Sequence, residues 1–143
     1  MRMKLQRAAW LFIALAALLL VADFAGAQEA PQEYIKRLRS PATVKGFIGG
    51  ESHDSYVVRA RKSQIMTVQT SWRLQHEETD NEGDNFVQFW VGGLPHFNGE
   101  AVKFGKESNQ GKRWSGKIPK TGNYYIYVVA HPYADYTLKV TVK

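Results

Sequence analysis

Toward the end of the chain, apolar and polar residues alternate with a period of two. Tyr136, Leu138, Val140 and Val142 take turns with Thr137, Lys139, Thr141 and Lys143, so one side of this segment is buried and the other wet, as in a β-strand. From Asn123 to Ala130, Tyr124, Ile126 and Val128 face one way and Tyr125, Tyr127 and Val129 the other. Apolar residues on both parities predict a central strand covered on two sides. Further runs at Thr43 to Ile48, Ser55 to Ala60, Gln64 to Trp72, Phe86 to Val91 and Arg113 to Ile118 bring the total to about seven or eight strands. They are broken at Gly49-Gly50, Lys62-Ser63, Gly92-Gly93, Thr121-Gly122-Asn123 and Pro132, residues suited to turns. No long stretch has helical period. The pattern predicts an all-β chain forming a single antiparallel β-sandwich, jelly-roll-like.

The buried side is expected to hold Val44, Phe47, Tyr56, Val58, Ala60, Met66, Val68, Tyr124, Ile126, Val128, Tyr136, Leu138 and Val140. The register of Phe86 to Val91 stays open, since both parities are apolar apart from Gln88. Aromatics outnumber what one small core readily hides. Trp72, Phe89, Trp90, Phe97, Trp114, Tyr125, Tyr127 and Tyr133 are therefore expected in part at the surface, where aromatic rings favour protein hot spots and sugar stacking.

Ahead of the sandwich the pattern is different. Arg2, Lys4 and Arg7 precede an unbroken apolar run from Ala8 to Ala22, and Ala25-Gly26-Ala27 follows Asp23. At about 1.5 Å per residue the run reaches about 22 Å, short of a bilayer core of about 30 Å. Residues 1–27 are read as a secretory signal peptide cleaved after Ala27, with an uncleaved N-terminal anchor as the alternative. Export to the periplasm or beyond is expected, without stable membrane insertion after cleavage. Residues 28–42, with Pro31, Pro41 and the basic cluster Lys36, Arg37 and Arg39, read as a linker or short helix, leaving 43–143 as the domain.

Composition narrows the chemistry. The 143 residues include no cysteine, which excludes disulfides, thiolate catalysis, zinc ribbons and a lipidated Cys. The formal net charge of +6 falls to +4 over the 116 residues after Ala27. Glu77, Glu78, Asp80, Glu82 and Asp84 put five carboxylates in eight residues, open to three readings: a solvated loop, a contact for a basic partner, or a calcium site. The EF-hand-like spacing of Asp80, Glu82 and Asp84 has its glycine at Gly83 instead of after Asp84, so no metal site is assigned. Lys103, Lys106, Lys112, Arg113, Lys117 and Lys120 surround Trp114, either as strand-edge lysines or as a polyanion-binding run. Export disfavours nucleic acid.

Catalytic motifs fail on inspection. Gly105 to Arg113 superficially matches a phosphate loop but has one intervening residue too many and no hydroxyl after Lys112. Ser52-His53-Asp54 brings three triad residue types together, yet in extended chain His53 faces away from both neighbours. His76, His96 and His131 show no short ligand spacing. No cofactor is expected, and the chain is read as noncatalytic.

Two stretches carry a family resemblance. Gly46, Asp54-Ser55-Tyr56-Val57-Val58-Arg59-Ala60-Arg61-Lys62 and Met66-Thr67-Val68 resemble the opening of bacterial pre-peptidase C-terminal domains. Ile118 to Ile126 and Asp135-Tyr136-Thr137-Leu138-Lys139-Val140 resemble their close, a Gly-x-Tyr strand and a final Tyr-x-Leu-x-Val strand. The same framework occurs in the periplasmic inhibitors of g-type lysozyme, whose Ser-Gly-x-Tyr turn is matched by Thr121-Gly122-Asn123-Tyr124. In those inhibitors the resemblance implies loops that plug an enzyme's cleft. Here the Thr121 to Tyr124 turn and His131 to Tyr133 are the expected contacts, with the acidic loop meeting a basic rim. In pre-peptidase domains it implies an accessory module, and the alternative is glycan or protein binding through Trp114, Tyr125 and Tyr127. These positions also have structural roles to fill: Gly122 suits a tight turn, and Asp54 beside a turn can accept backbone N–H bonds.

Overall fold

A computed structural model describes residues 34–74 and 86–143. The acidic run from Glu77 to Asp84, His76 and the N-terminal 33 residues lie outside the described residues. Nine strands form among those described: β1 (Ile35–Leu38), β2 (Ala42–Gly49), β3 (Asp54–Ala60), β4 (Ile65–Leu74), β5 (Phe86–Gly92), β6 (Gly105–Ser108), β7 (Arg113–Lys117), β8 (Gly122–His131) and β9 (Tyr133–Val142). They make two layers, a four-stranded sheet ordered β1-β3-β8-β5 and a five-stranded sheet ordered β2-β9-β4-β7-β6. The expected β-sandwich is present.

The alternating segments behave as their pattern dictates. Leu138, Val140 and Met66 are fully buried between the layers, with Tyr136 beside them. Strand β8 is interior to its sheet, pairing with β3 on one side and β5 on the other, which accounts for its two apolar parities. In β5 the open register is settled: Val87, Phe89 and Val91 point into the core, Phe86 and Gln88 are exposed, and Trp90 is half-buried.

Three expectations are corrected. Ile35–Leu38, read as linker or short helix, is a strand paired in parallel with β3, the one parallel pair among the described strands. Gly105–Ser108, singled out only as a failed phosphate loop, is an edge strand hairpinned to β7 through the left-handed residues Asn109, Gln110 and Gly111. Phe47 is not in the core: it is 60% exposed. Strict pleating puts Val44, Gly46 and Ile48 on the inner side of β2 and Phe47 on the outer. The inward place at Gly46 is taken by Tyr136 of the neighbouring strand, whose ring would stand 2.6 Å from a Cβ there.

That ring belongs to a polar tie between the sheets. The Tyr136 hydroxyl donates to Asp54 Oδ2, and Lys36 Nζ donates to Asp54 Oδ1 at 3.0 Å. The Tyr56 hydroxyl lies 2.5 Å from that of Tyr136; with the Tyr136 proton committed to Asp54, Tyr56 is the donor of this pair. Asp54 therefore takes side-chain donors instead of the backbone N–H groups expected. Burial, reinforced by the hydrogen bonds to Asp54 and Tyr56, pushes Tyr136 far above the ordinary tyrosine range. Burial also raises Tyr56, and the bond to Asp54 raises Lys36.

Candidate functional site

The turn entering β8 is braced from beneath. Tyr124 is buried and its hydroxyl donates to the Lys120 carbonyl at 2.6 Å, closing the loop on itself. The Lys62 N–H donates to Thr121 Oγ1 at 2.9 Å, and the Ser63 N–H donates to the Ile118 carbonyl at 2.8 Å. These bonds stitch the β7–β8 turn to the β3–β4 turn. Lys120 and Thr121 are exposed at this end, while Gly122 and Asn123 are half-buried.

Beside the turn runs an open groove of about 530 Å³. Its apolar side is Leu94, Pro95, Val102 and Phe104; Asn123 and Tyr125 line the other. Phe104 is set edge-on to both Trp114 and Tyr124, with centroids 5.7 and 5.8 Å away, so the floor is continuous with the core. The buried Oδ1 of Asn123 has no hydrogen-bond partner among the described residues.

The other expected contacts do not join this site. His131 ends β8, with Pro132 and Tyr133 just beyond it, roughly 30 Å from Thr121 at the rise of a ten-residue strand. At that end Tyr133 stacks parallel to Phe47 at 6.2 Å and His131 stacks on Phe86 at 6.1 Å. Thr121 and His131 therefore cannot enter one narrow cleft together.

Two of the three aromatics proposed for sugar stacking are inside. Trp114 is 5% exposed and its indole fills a slot left by two glycines: a Cβ would stand 2.0 Å from it at Gly105 and 2.7 Å at Gly116. Tyr127 is fully buried, and its hydroxyl donates to the Leu94 carbonyl at 2.9 Å. Its ring packs against Trp90 and Phe97, so it holds the 93–104 loop over the four-stranded sheet. Phe89, also expected partly at the surface, is buried as well. Tyr125 alone of the three reaches the groove. Sequence reasoning missed Leu94, 63% exposed on that loop, because nothing in its immediate neighbours marks it as outward.

The tripeptide Ser52-His53-Asp54 is split by the fold. Ser52 Oγ donates to the Gly49 carbonyl at 2.6 Å, His53 stacks on Phe97 at 3.8 Å, and Asp54 faces Tyr136 and Lys36. No three His, Cys, Asp or Glu side chains among the described residues gather closely enough to hold a metal ion.

No protein-family model matches the sequence, and no curated protein does. Similarity appears in three dimensions, at the level of the β-sandwich fold. The periplasmic inhibitor of g-type lysozyme from Aeromonas hydrophila superimposes with a TM-score of 0.55 at 18% identity, over 76% of this chain and 96% of that one. The Salmonella Typhimurium inhibitor gives 0.51 at 19% identity, over 76% and 98%. The pre-peptidase C-terminal domain of Bacillus anthracis collagenase gives 0.49 at 22% identity, over 76% and 96%. Through the two inhibitors, the resemblance read from Gly46, Asp54, Tyr56, Tyr124 and Tyr136 holds at the level of fold.

Proposed function

We propose that the chain is an exported, noncatalytic binding protein that inhibits a g-type lysozyme, with the Thr121 to Tyr124 turn entering the enzyme's substrate cleft. The observation that carries this reading is the bracing of that turn by Tyr124 and Lys62 beside an open groove. A loop already fixed in its bound shape loses little conformational freedom on docking. The fold shared along nearly the whole length of two such inhibitors supports the same conclusion. In this reading residues 1–27 direct export to the periplasm, and the carboxylates from Glu77 to Asp84 meet basic groups at the cleft's rim.

The test is residual lytic activity of purified g-type lysozyme titrated with the protein. Inhibition below micromolar concentration is expected, and Thr121→Arg should weaken it at least about tenfold, with a loss of stability no larger than the about 1 kcal/mol of one exposed hydrogen bond, that from the Lys62 N–H. Full lytic activity at micromolar protein removes the inhibitor reading. Glycan binding through Trp114 and Tyr127 loses its footing, since both rings are buried.

A further inference from the structure

The solvent side of the five-stranded sheet is strongly basic. Among the described residues there are sixteen Lys and Arg against five Asp and Glu, and the pleat concentrates part of that excess here. Lys139, Gln69 and Arg113 are successive partners across β9, β4 and β7. Four residues further along, Lys143, Ile65 and Lys117 form a parallel row. At about 4.8 Å between strands and about 3.4 Å per residue, the four cations mark a rectangle of roughly 10 by 14 Å. All four are exposed.

Between the rows lies a shallow basin of about 360 Å³ floored by Ile65, Thr67, Gln69 and Thr141. Lys106 adjoins it beside Ser115. The face's carboxylate among the described residues is Asp135, at the opposite end of β9, in register with Arg73. Cations about 10 Å apart sit near one Debye length at physiological salt, so their potentials add.

We propose that this basin binds a linear acidic polysaccharide. Lys139, Arg113, Lys143 and Lys117 pair with its carboxylates or sulfates, and Thr67, Gln69 and Thr141 hydrogen-bond its sugar hydroxyls. The chemistry of the floor selects this ligand over other anions. It carries no aromatic on which a base could stack, and Ile65 is its single large apolar group, too little to wedge into lipid. The site is on another surface from the groove beside Thr121 and is independent of enzyme inhibition.

Binding of the purified protein to immobilised heparin, polygalacturonate and neutral dextran, at several salt concentrations, tests this. Binding to one or both acidic polymers is expected, weakening with salt, with none to dextran; the polymer preferred tells sulfate from carboxylate. The double variant Arg113→Gln, Lys139→Gln should lose about tenfold in affinity. A double variant on the four-stranded sheet, Arg37→Gln, Arg59→Gln, changes the net charge equally and should lose little. Equal losses in the two variants, no binding to either acidic polymer, or tighter binding to phosphatidylglycerol vesicles or duplex DNA would each overturn the proposal.

Discussion

The two outer faces of the sandwich are built for different purposes. On the four-stranded sheet, Tyr127 and Trp90 are covered by the 93–104 loop, which is pinned by Phe97, by the Leu94 carbonyl and by the bridge between Gly92 and Ala101. On the five-stranded sheet the positions around the basin are Thr, Ser, Gln, Lys and Arg with Ile65 among them, Phe47 and Tyr133 stack on each other in the open near the β2 edge, and none of the described loops lies over the basin. One layer therefore has a second small core outside it, while the other meets water directly. An aromatic on an outer face can stabilise only if something non-local covers it. The bare face is polar over most of its extent, and its charges are free to serve recognition.

The contrast is broken most severely at Tyr127. Tyr127→Ala removes a fully buried ring and the anchor of the covering loop, and should cost about 3–5 kcal/mol. Thermal or urea unfolding would measure it. Tyr127→Phe, which keeps the ring and loses the bond to the Leu94 carbonyl, should cost about 1 kcal/mol. Faster amide exchange in residues 93–104 of that variant would show that the hydroxyl holds the loop. A loss from Tyr127→Ala no larger than that from Tyr127→Phe would mean that the loop does not make a second core.

What could be read from the sequence follows the same division. Period-two alternation located β9 and most of β3, β4 and β8 because burial on one side is a local pattern. The core positions Tyr56, Val58, Met66, Val68, Ile126 and Leu138 follow from it. Strand β1 was hidden because Lys36, Arg37 and Arg39 look solvated; its pairing with β3 is non-local, and Lys36 reaches the sandwich rim to meet Asp54. Strand β6 was hidden because Gly-Lys-Glu-Ser has little strand preference and forms against β7. Of the candidate site, the turn at Thr121 was legible through Gly122 and Tyr124. The fates of Trp114 and Tyr127 were not, since paired glycines in one case and a distant loop in the other decided their burial. The opposite placement of Thr121 and His131 follows once residues 122–131 are one strand.

A smaller effect is expected at the tie between the layers. Tyr136→Phe keeps the ring over Gly46 and removes the donor to Asp54, leaving that carboxylate with Lys36; the cost should be about 1–3 kcal/mol. The pH dependence separates this from a packing loss. Tyr136 and Tyr56 are raised in the folded state, so the unfolded chain gives up its phenolic protons first. The stability they contribute is complete below the ordinary tyrosine value near 10 and declines as pH rises above it. Lys36, also raised, acts in the same direction. Unfolding midpoints measured from pH 8 to 11 should fall for the natural chain and fall less steeply for Tyr136→Phe; parallel slopes would show that Tyr136 does not carry the effect.

The smallest change is expected on the bare face. Arg113→Gln with Lys139→Gln alters two exposed side chains flanking Gln69 and buries nothing, so stability should stay within about 0.5 kcal/mol of the natural chain. Relief of repulsion among neighbouring cations should make the shift favourable if anything, and added salt should reproduce it in the natural chain by screening the same charges. A loss above about 1 kcal/mol, beyond what an exposed ion pair contributes, would show that these cations support the sheet. An unchanged Tm together with weakened heparin binding would separate the two faces as the fold predicts, one holding the domain together and the other carrying charge for a partner.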